Sequence, residues 1–265
     1  MFKCVPSFKM CFVFAACMAA SLAQAADLPS VQSILDKALE STGGRAKHEA
    51  IKSRIATGTF TLVDMGVEAE FTNYISPPNV YTDIFMGSFG SVERGLVDGV
   101  AWELNPVEGP KILDGEEADS QKRQAAINEF LDWKKYYSDA TVLGEVPIGD
   151  KPTWEIEFTT TAGKKLKHYF DKENGLMVQT VADTVTTTYD DYKDADGLKL
   201  PHKITSKGGR YNVAITITKF EHNTEIPAEK FALPATIKEL INPPAAAAEA
   251  AGEKKTAPVA AADTK

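Results

Sequence analysis

The chain has 265 residues with 29 Lys and Arg against 37 Asp and Glu, a net charge of −8. An acidic balance of this kind disfavours nucleic acid and anionic membrane surfaces as primary partners. All three cysteines, Cys4, Cys11 and Cys17, sit at the extreme N-terminus, so the rest of the chain has no disulfide, thiol nucleophile or thiolate metal site.

Residues 1–25 read as a secretory signal peptide: Lys3 and Lys9 form a basic start, Met10 to Ala20 is apolar, and Ala23-Gln24-Ala25 is a small-x-small cleavage pattern. The apolar run is shorter than the ~18 residues a membrane anchor needs. Phe14-Ala15-Ala16-Cys17 resembles a lipoprotein box with Phe14 where Leu is usual, so lipidation at Cys17 is the alternative to simple cleavage. A periplasmic location follows from either. Without residues 1–25 the counts are 27 basic and 37 acidic, a net of −10. The remaining ~240 residues are enough to bury a core in one domain, expected over 27–241.

Asp27-Leu28-Pro29 opens a predicted helix whose Val31, Ile34, Leu35, Ala38 and Leu39 form one apolar stripe, ended by Gly43-Gly44. A short helical turn is expected over Arg45 to Ile51. From Arg54 to Leu104 short extended runs are broken at Asp64-Met65-Gly66, Pro77-Pro78-Asn79, Gly87, Gly90 and Asp98-Gly99, which suits an antiparallel meander. Gly109 to Glu117 reads as a switch from sheet to helix. Between Glu116 and Tyr137 the period lengthens to about 3.6, with Ile127, Phe130, Leu131, Lys134 and Tyr137 along one side, and predicts one internal helix.

Extended structure then resumes. Trp154, Ile156 and Phe158 alternate with polar residues, as do Leu166, His168 and Phe170 after Gly163, and Asn174-Gly175 signals a further hairpin. Runs at Val185–Tyr192, Leu198–Ser206 and Tyr211–Phe220 follow, giving about eleven strands by the alternation and turn rules. From 242 to 265 the Ala, Pro, Lys and Glu composition predicts a disordered tail.

Motifs for chemistry are sparse. His48, His168, His202 and His222 are far apart, with no zinc-type spacing, and His168 shares a strand face with Leu166 and Phe170, as a core-edge histidine would. In the Asp190–Gly197 stretch a calcium loop aligned on Gly197 places Tyr192 and Lys203 at the first and twelfth ligand positions, so Asp196-Gly197 is better read as a hairpin turn. Gly87-Ser88-Phe89-Gly90 lacks the spacing of a nucleophile elbow, and Gly43-Gly44-Arg45 ends a helix instead of opening a phosphate loop. No metal, cofactor or catalytic residue is assigned. What stands out is a large apolar set spread over nearly every strand: Phe60, Leu62, Phe71, Tyr81, Phe85, Trp102, Trp154, Phe158, Phe170, Ile215 and Ile217. These residues either fill a dry core or line a hollow that a curved sheet leaves open for a ligand.

The order of features then carries a resemblance. Export signal, N-terminal amphipathic helix, long meander, Asp98-Gly99 followed by Trp102 and Pro106, a mid-sheet helix, hairpins through Tyr169-Phe170-Asp171 and Asn174-Gly175-Leu176, and a closing Ile226-Pro227 to Phe231-x-x-Pro234 together resemble the LolA/LolB-like outer-membrane lipoprotein-sorting superfamily over roughly residues 30–235. The resemblance implies an α+β fold, a curved antiparallel half-barrel with helices over its concave face. It further implies a non-enzymatic periplasmic carrier that takes lipid or lipoprotein acyl chains into its hydrophobic cavity without a cofactor. Two features depart from the pattern: the cavity arginine of the sorting carriers has no assigned counterpart in Arg54 or Arg94, and the Ala/Lys-rich tail is foreign to it. The alternatives are a non-catalytic interaction module of an envelope complex, with an envelope protein as partner, and a hydrolase whose site is assembled from distant residues such as His168 and Asp171.

Overall fold

The computed structural model describes residues 28–243. The expected signal peptide, the three cysteines including Cys17, and the tail beyond residue 243 lie outside the described residues. Thirteen strands form a single antiparallel sheet: β1 Arg54–Leu62, β2 Val67–Ser76, β3 Asn79–Phe85, β4 Ser91–Val97, β5 Val100–Asn105, β6 Gly109–Ile112, β7 Tyr137–Ile148, β8 Lys151–Thr160, β9 Lys165–Asp171, β10 Met177–Ala182, β11 Val185–Ala195, β12 Leu198–Lys207 and β13 Val213–His222. Their spatial order is β6-β5-β4-β3-β2-β1-β13-β12-β11-β10-β9-β8-β7. Two meanders, β1–β6 and β7–β13, are thus joined at the middle by the β1–β13 ladder. The strand count exceeds the expected eleven partly because β6 occupies what the sequence presents as a switch into helix.

Helices α1 (Val31–Ser41), α2 (Arg45–Ala50), α3 (Gly115–Gln124) and α4 (Ala235–Ile241) complete the fold. The α1 stripe buries Ile34, Leu35, Ala38 and Leu39 as the spacing predicts, and the Ser30 hydroxyl caps the first turn by accepting from Ser33 N–H at 3.1 Å. The Asp98-Gly99 and Asp196-Gly197 hairpins turn with φ of 50° and 81°, and 56° and 79°, the left-handed pair a two-residue turn of this hand requires.

The single helix expected over Glu116–Tyr137 is instead two pieces. α3 ends at Gln124, a new start is capped where the Asn128 side chain accepts from Phe130 N–H at 3.0 Å, and the following Glu129–Lys135 segment is 3-10 with a break at Asp132. Tyr137 already belongs to β7. The apolar spacing arose because Ile127, Phe130 and Tyr137 all reach the sheet, which a broken strap does as well as a continuous helix.

This strap runs from edge strand β6 to edge strand β7. A flat sheet of this width would span roughly 58 Å at 4.8 Å per strand, while the strap over residues 113–136, even with every non-helical residue extended, reaches only about 50 Å. The sheet therefore rolls up. A contact between hairpin ends says the same: Arg210, on the β12–β13 turn, pairs with Glu108, on the β5–β6 turn, at 2.7 Å, although five strand spacings separate those hairpins along the sheet.

Rolling gives the sheet an inner face, covered by α1 and the strap, and an outer face, part of which α4 covers. Beneath α1, Ile156, Phe158 and Phe170 of β8 and β9 pack with Phe130 and Tyr137. Beneath α3, Ile75, Val80, Leu96 and Ala101 pack with Leu113, Ala125 and Ile127. On the outer face Tyr81 and Trp102 pack on Ile237 of α4.

Candidate functional site

Between the two helix-covered cores the inner face continues through β3, β2, β1, β13 and β12, carrying Ala56, Phe71 and Ile217 with half-buried Phe60, Ile84, Ile204, Ile215 and Phe220. The hydrophobic members of this group all come from strands, and they form an apolar trough between the two helix-covered cores. Along β1 the inner row runs Arg54, Ala56, Gly58, Phe60, Leu62, opposite His222, Phe220, Ile217, Ile215 and Val213 of β13. The floor is low at Gly58, where any Cβ would lie 2.0 Å from the Thr216 carbonyl oxygen.

The eleven apolar residues singled out from sequence divide three ways. Phe60, Leu62, Phe71, Ile215 and Ile217 share the trough's face. Trp154, Phe158 and Phe170 lie on the same face but by the α1 core: Phe158 and Phe170, at 0% exposure, are packed core, and half-buried Trp154 packs at its margin. Tyr81, Phe85 and Trp102 point to the other face: Tyr81 stacks on Trp102 at 6.1 Å, Trp102 lies over Gly95, and Phe85 is exposed. The register of β2, β3 and β4, which side-chain size does not reveal, puts Val80 and Ile84 inward and Tyr81 and Phe85 outward. Ile84, Ile204 and Phe220, not singled out from the sequence, complete the trough. Phe220 joins it through a register shift opposite Thr57/Gly58, which places Ile217 and Phe220 on one face although they are three apart.

Two depressions among the described residues have mixed polar and apolar linings, the first of them bordered by Ser53 and Asn223, the chain neighbours of Arg54 and His222. One of about 580 Å³ is lined by residues such as Lys52, Ser53, Asn223 and Glu225, and one of about 200 Å³ by residues such as Tyr189, Asp190, Tyr192 and Lys199.

Two polar groups adjoin the apolar surfaces of the inner face. At the β1–β13 end, burial lowers the Arg54 guanidinium to about 10, and its Nη1 donates to the Ile127 carbonyl at 3.2 Å. Arg94, on the same face, is paired with Glu103 of β5. Beside α3, the Glu129 carboxylate accepts from the Tyr137 hydroxyl at 2.7 Å and lies 4.0 Å from His168 Nε2. Burial raises the Glu129 carboxyl, and burial, aided by the Arg123 charge, lowers His168 to about 3, so the imidazole is neutral. His168 packs among Phe130, Phe158 and Phe170, as its strand position suggests. Asp171 faces the opposite side of β9, where its carboxylate holds the following turn through Glu173 N–H at 2.8 Å and Asn174 Nδ2 at 2.9 Å. The two residues of the hydrolase alternative are therefore not brought together. Among the described residues no group of three or more His, Cys, Asp or Glu side chains is arranged to hold a metal.

No model of a known protein family matches the chain, and no curated protein matches it. Solved structures do. A LolA superfamily protein from Nitrosomonas europaea is similar with a TM-score of 0.54 at 14% identity, covering 78% of this chain and 99% of that one. The fold is LolA-like. A DUF1329 family protein from Desulfovibrio piger gives 0.54 at 12% identity over 77% and 98% of the two chains. A putative outer membrane lipoprotein-sorting protein domain from Vibrio parahaemolyticus gives 0.50 at 11% over 74% and 97%. In this LolA-like half-barrel the trough lies on the face that the helices partly cover, and no helix among the described residues is long and apolar enough to cross a membrane.

Proposed function

We propose that this protein is an exported carrier or binding protein for lipid or lipoprotein acyl chains, which lie in the apolar trough along β1 and β13. The observation that carries the reading is the group Phe60, Phe71, Ile84, Ile204, Ile215, Ile217 and Phe220: an apolar surface on the inner side of a rolled sheet, with helix-covered cores on both flanks and every one of these residues on a strand. Burying such a surface gains ~25 cal/mol per Å² of apolar area, which a chain-like guest supplies without needing hydrogen bonds. The likeness to a LolA superfamily protein and a lipoprotein-sorting domain supports the same reading. In this reading the carrier domain is 27–241, exported by the signal expected at 1–25, and it acts in the periplasm without covalent chemistry. Organic extraction of protein purified without detergent, followed by mass spectrometry, is expected to release lipid. Absence of lipid together with failure to take up a fluorescent acyl probe would overturn the proposal.

A second reading, an interaction module of an envelope complex, draws on the hairpin ends at the β1–β2 side of the sheet. Phe89 and Val107 are 79% and 90% exposed there, and Val63, Met65 and Tyr211 are exposed beside them. A stoichiometric protein complex that forms unchanged when Ala56→Phe fills the trough would favour it.

A further inference from the structure

The end of the trough away from those hairpin tips is charged. The described residues contain five arginines, and four sit within 4 Å of a carboxylate: Arg45 with Asp36 and Glu49, Arg94 with Glu103, Arg123 with Glu116, and Arg210 with Glu108. Arg54 has no such partner among the described residues, although it is the one whose guanidinium burial has pulled down to about 10. Arg54 is half-buried, and its nitrogens other than Nη1 are not enclosed, so they remain reachable by a ligand. One hydrogen bond, to the Ile127 carbonyl, leaves most of its donors unused.

The neighbours of Arg54 are also short of partners. His222 is its direct cross-strand partner, on the same face. The His222 side chain is 3% exposed, its Nδ1 lies 3.1 Å from Asp196, and its Nε2 is enclosed with no hydrogen bond. From α2, His48 lies over the same end at 2% exposure; its Nε2 meets the Thr42 hydroxyl at 2.9 Å, and its Nδ1 is likewise enclosed and unpartnered. Burial, with the nearby Arg54 and His222 charges, lowers His48 to about 4. Next along the row, Phe220 stacks on His222 at 6.3 Å and begins the apolar wall.

We infer that Arg54, His222 and His48 form a receptor for an oxyanion, the carboxylate or phosphate head of an amphiphile whose acyl chain lies along the trough. This rests on the acyl-chain reading and narrows it to anionic ligands. The planar guanidinium fork accepts either group in a bidentate manner. His48 adds a donor when its ring hydrogen sits on Nδ1 and Nε2 accepts from the Thr42 hydroxyl, and His222, donating through Nδ1 to Asp196, adds Nε2–H in its charged form. From the Arg54–His222 pair to the Leu62–Val213 pair the trough is about 26 Å long at 3.3 Å per residue, enough for an extended chain.

The test compares cis-parinaric acid with its methyl ester, two fluorescent probes with one chain and different heads, titrated into the purified full chain. The acid is expected to bind at least about tenfold tighter than the ester. Arg54→Gln should erase that preference by weakening the acid alone, and His222→Phe should narrow it. Displacement of the acid by millimolar inorganic phosphate would assign the site to free oxyanions as well; failure to displace it would assign the site to chain-bearing heads. Equal affinity of the wild-type chain for acid and ester overturns the inference and leaves acyl binding standing, and this comparison does not depend on how any variant folds. Equal weakening of both probes by Arg54→Gln also overturns it. Binding of neither probe removes the acyl-chain reading itself.

Discussion

The apolar surface beneath α1 and the apolar surface of the trough belong to one face of one sheet, yet they differ in what lies above them. Under α1, Phe158 and Phe170 are sealed by Ile34, Leu35 and Phe130, and aromatic rings meet at 4.6 Å for Tyr137 and Phe158. In the trough, Phe60, Ile204 and Ile215 keep part of their surface open and pack against Ala56, Phe71 and Ile217 of neighbouring strands. Alternating apolar residues thus serve stability where the chain supplies its own cover, and are available for binding where it does not.

The contrast is broken most severely by truncation on each side of it. Phe158→Ala should cost about 3–5 kcal/mol, since it opens a cavity in packed core, whereas Phe60→Ala should cost less than about 1.5 kcal/mol because its site is already open. Urea midpoints of the two variants check this, with m-values unchanged.

Acid sharpens the same contrast, because the sealed side holds a neutral imidazole. The unfolded chain binds a proton at His168 near the ordinary value of 6.5, while the folded chain does so only near about 3. Between those values the folded state binds fewer protons, so stability falls as pH drops below about 6.5, by up to about 1.4 kcal/mol per pH unit. His48, lowered to about 4, adds a contribution of the same sign over its narrower window. The urea midpoint should therefore be lower at pH 5 than at pH 7, and His168→Leu should remove part of that difference.

On the open side, Ile215→Asp should weaken uptake of an acyl probe at least about tenfold, roughly 1.4 kcal/mol, by placing a carboxylate against the chain. The urea midpoint should move little. The smallest effect tests the cover: Ser30→Ala, which removes the cap of α1, should cost about 1 kcal/mol and leave probe affinity in the trough unaltered.

Much of the architecture is written locally. Asp98-Gly99, Asn174-Gly175 and Asp196-Gly197 announce hairpins through their turn chemistry, and the α1 stripe is a simple period. What local pattern does not carry is which face a strand residue takes. Val80 and Tyr81 are adjacent apolar residues of one strand, and only pairing with β2 and β4 sends the first inward and the second toward α4. The shift opposite Thr57/Gly58 conceals Phe220 in the same way. The helix expected across Glu116–Tyr137 fails because Asn128 caps a second start inside it, a local signal overshadowed by the apolar spacing. Arg54 is unremarkable in sequence; its lack of a carboxylate partner exists only once β1 and β13 have paired.

The most direct test is to load the full chain with a fatty acid bearing a diazirine in its chain, irradiate, and map the adducts by peptide mass spectrometry. Adducts concentrated on β1, β12 and β13, at residues such as Phe60, Ile204 and Ile215, are the predicted result. Label confined to the outer face around Trp102 and α4, or no label at all, would contradict the account.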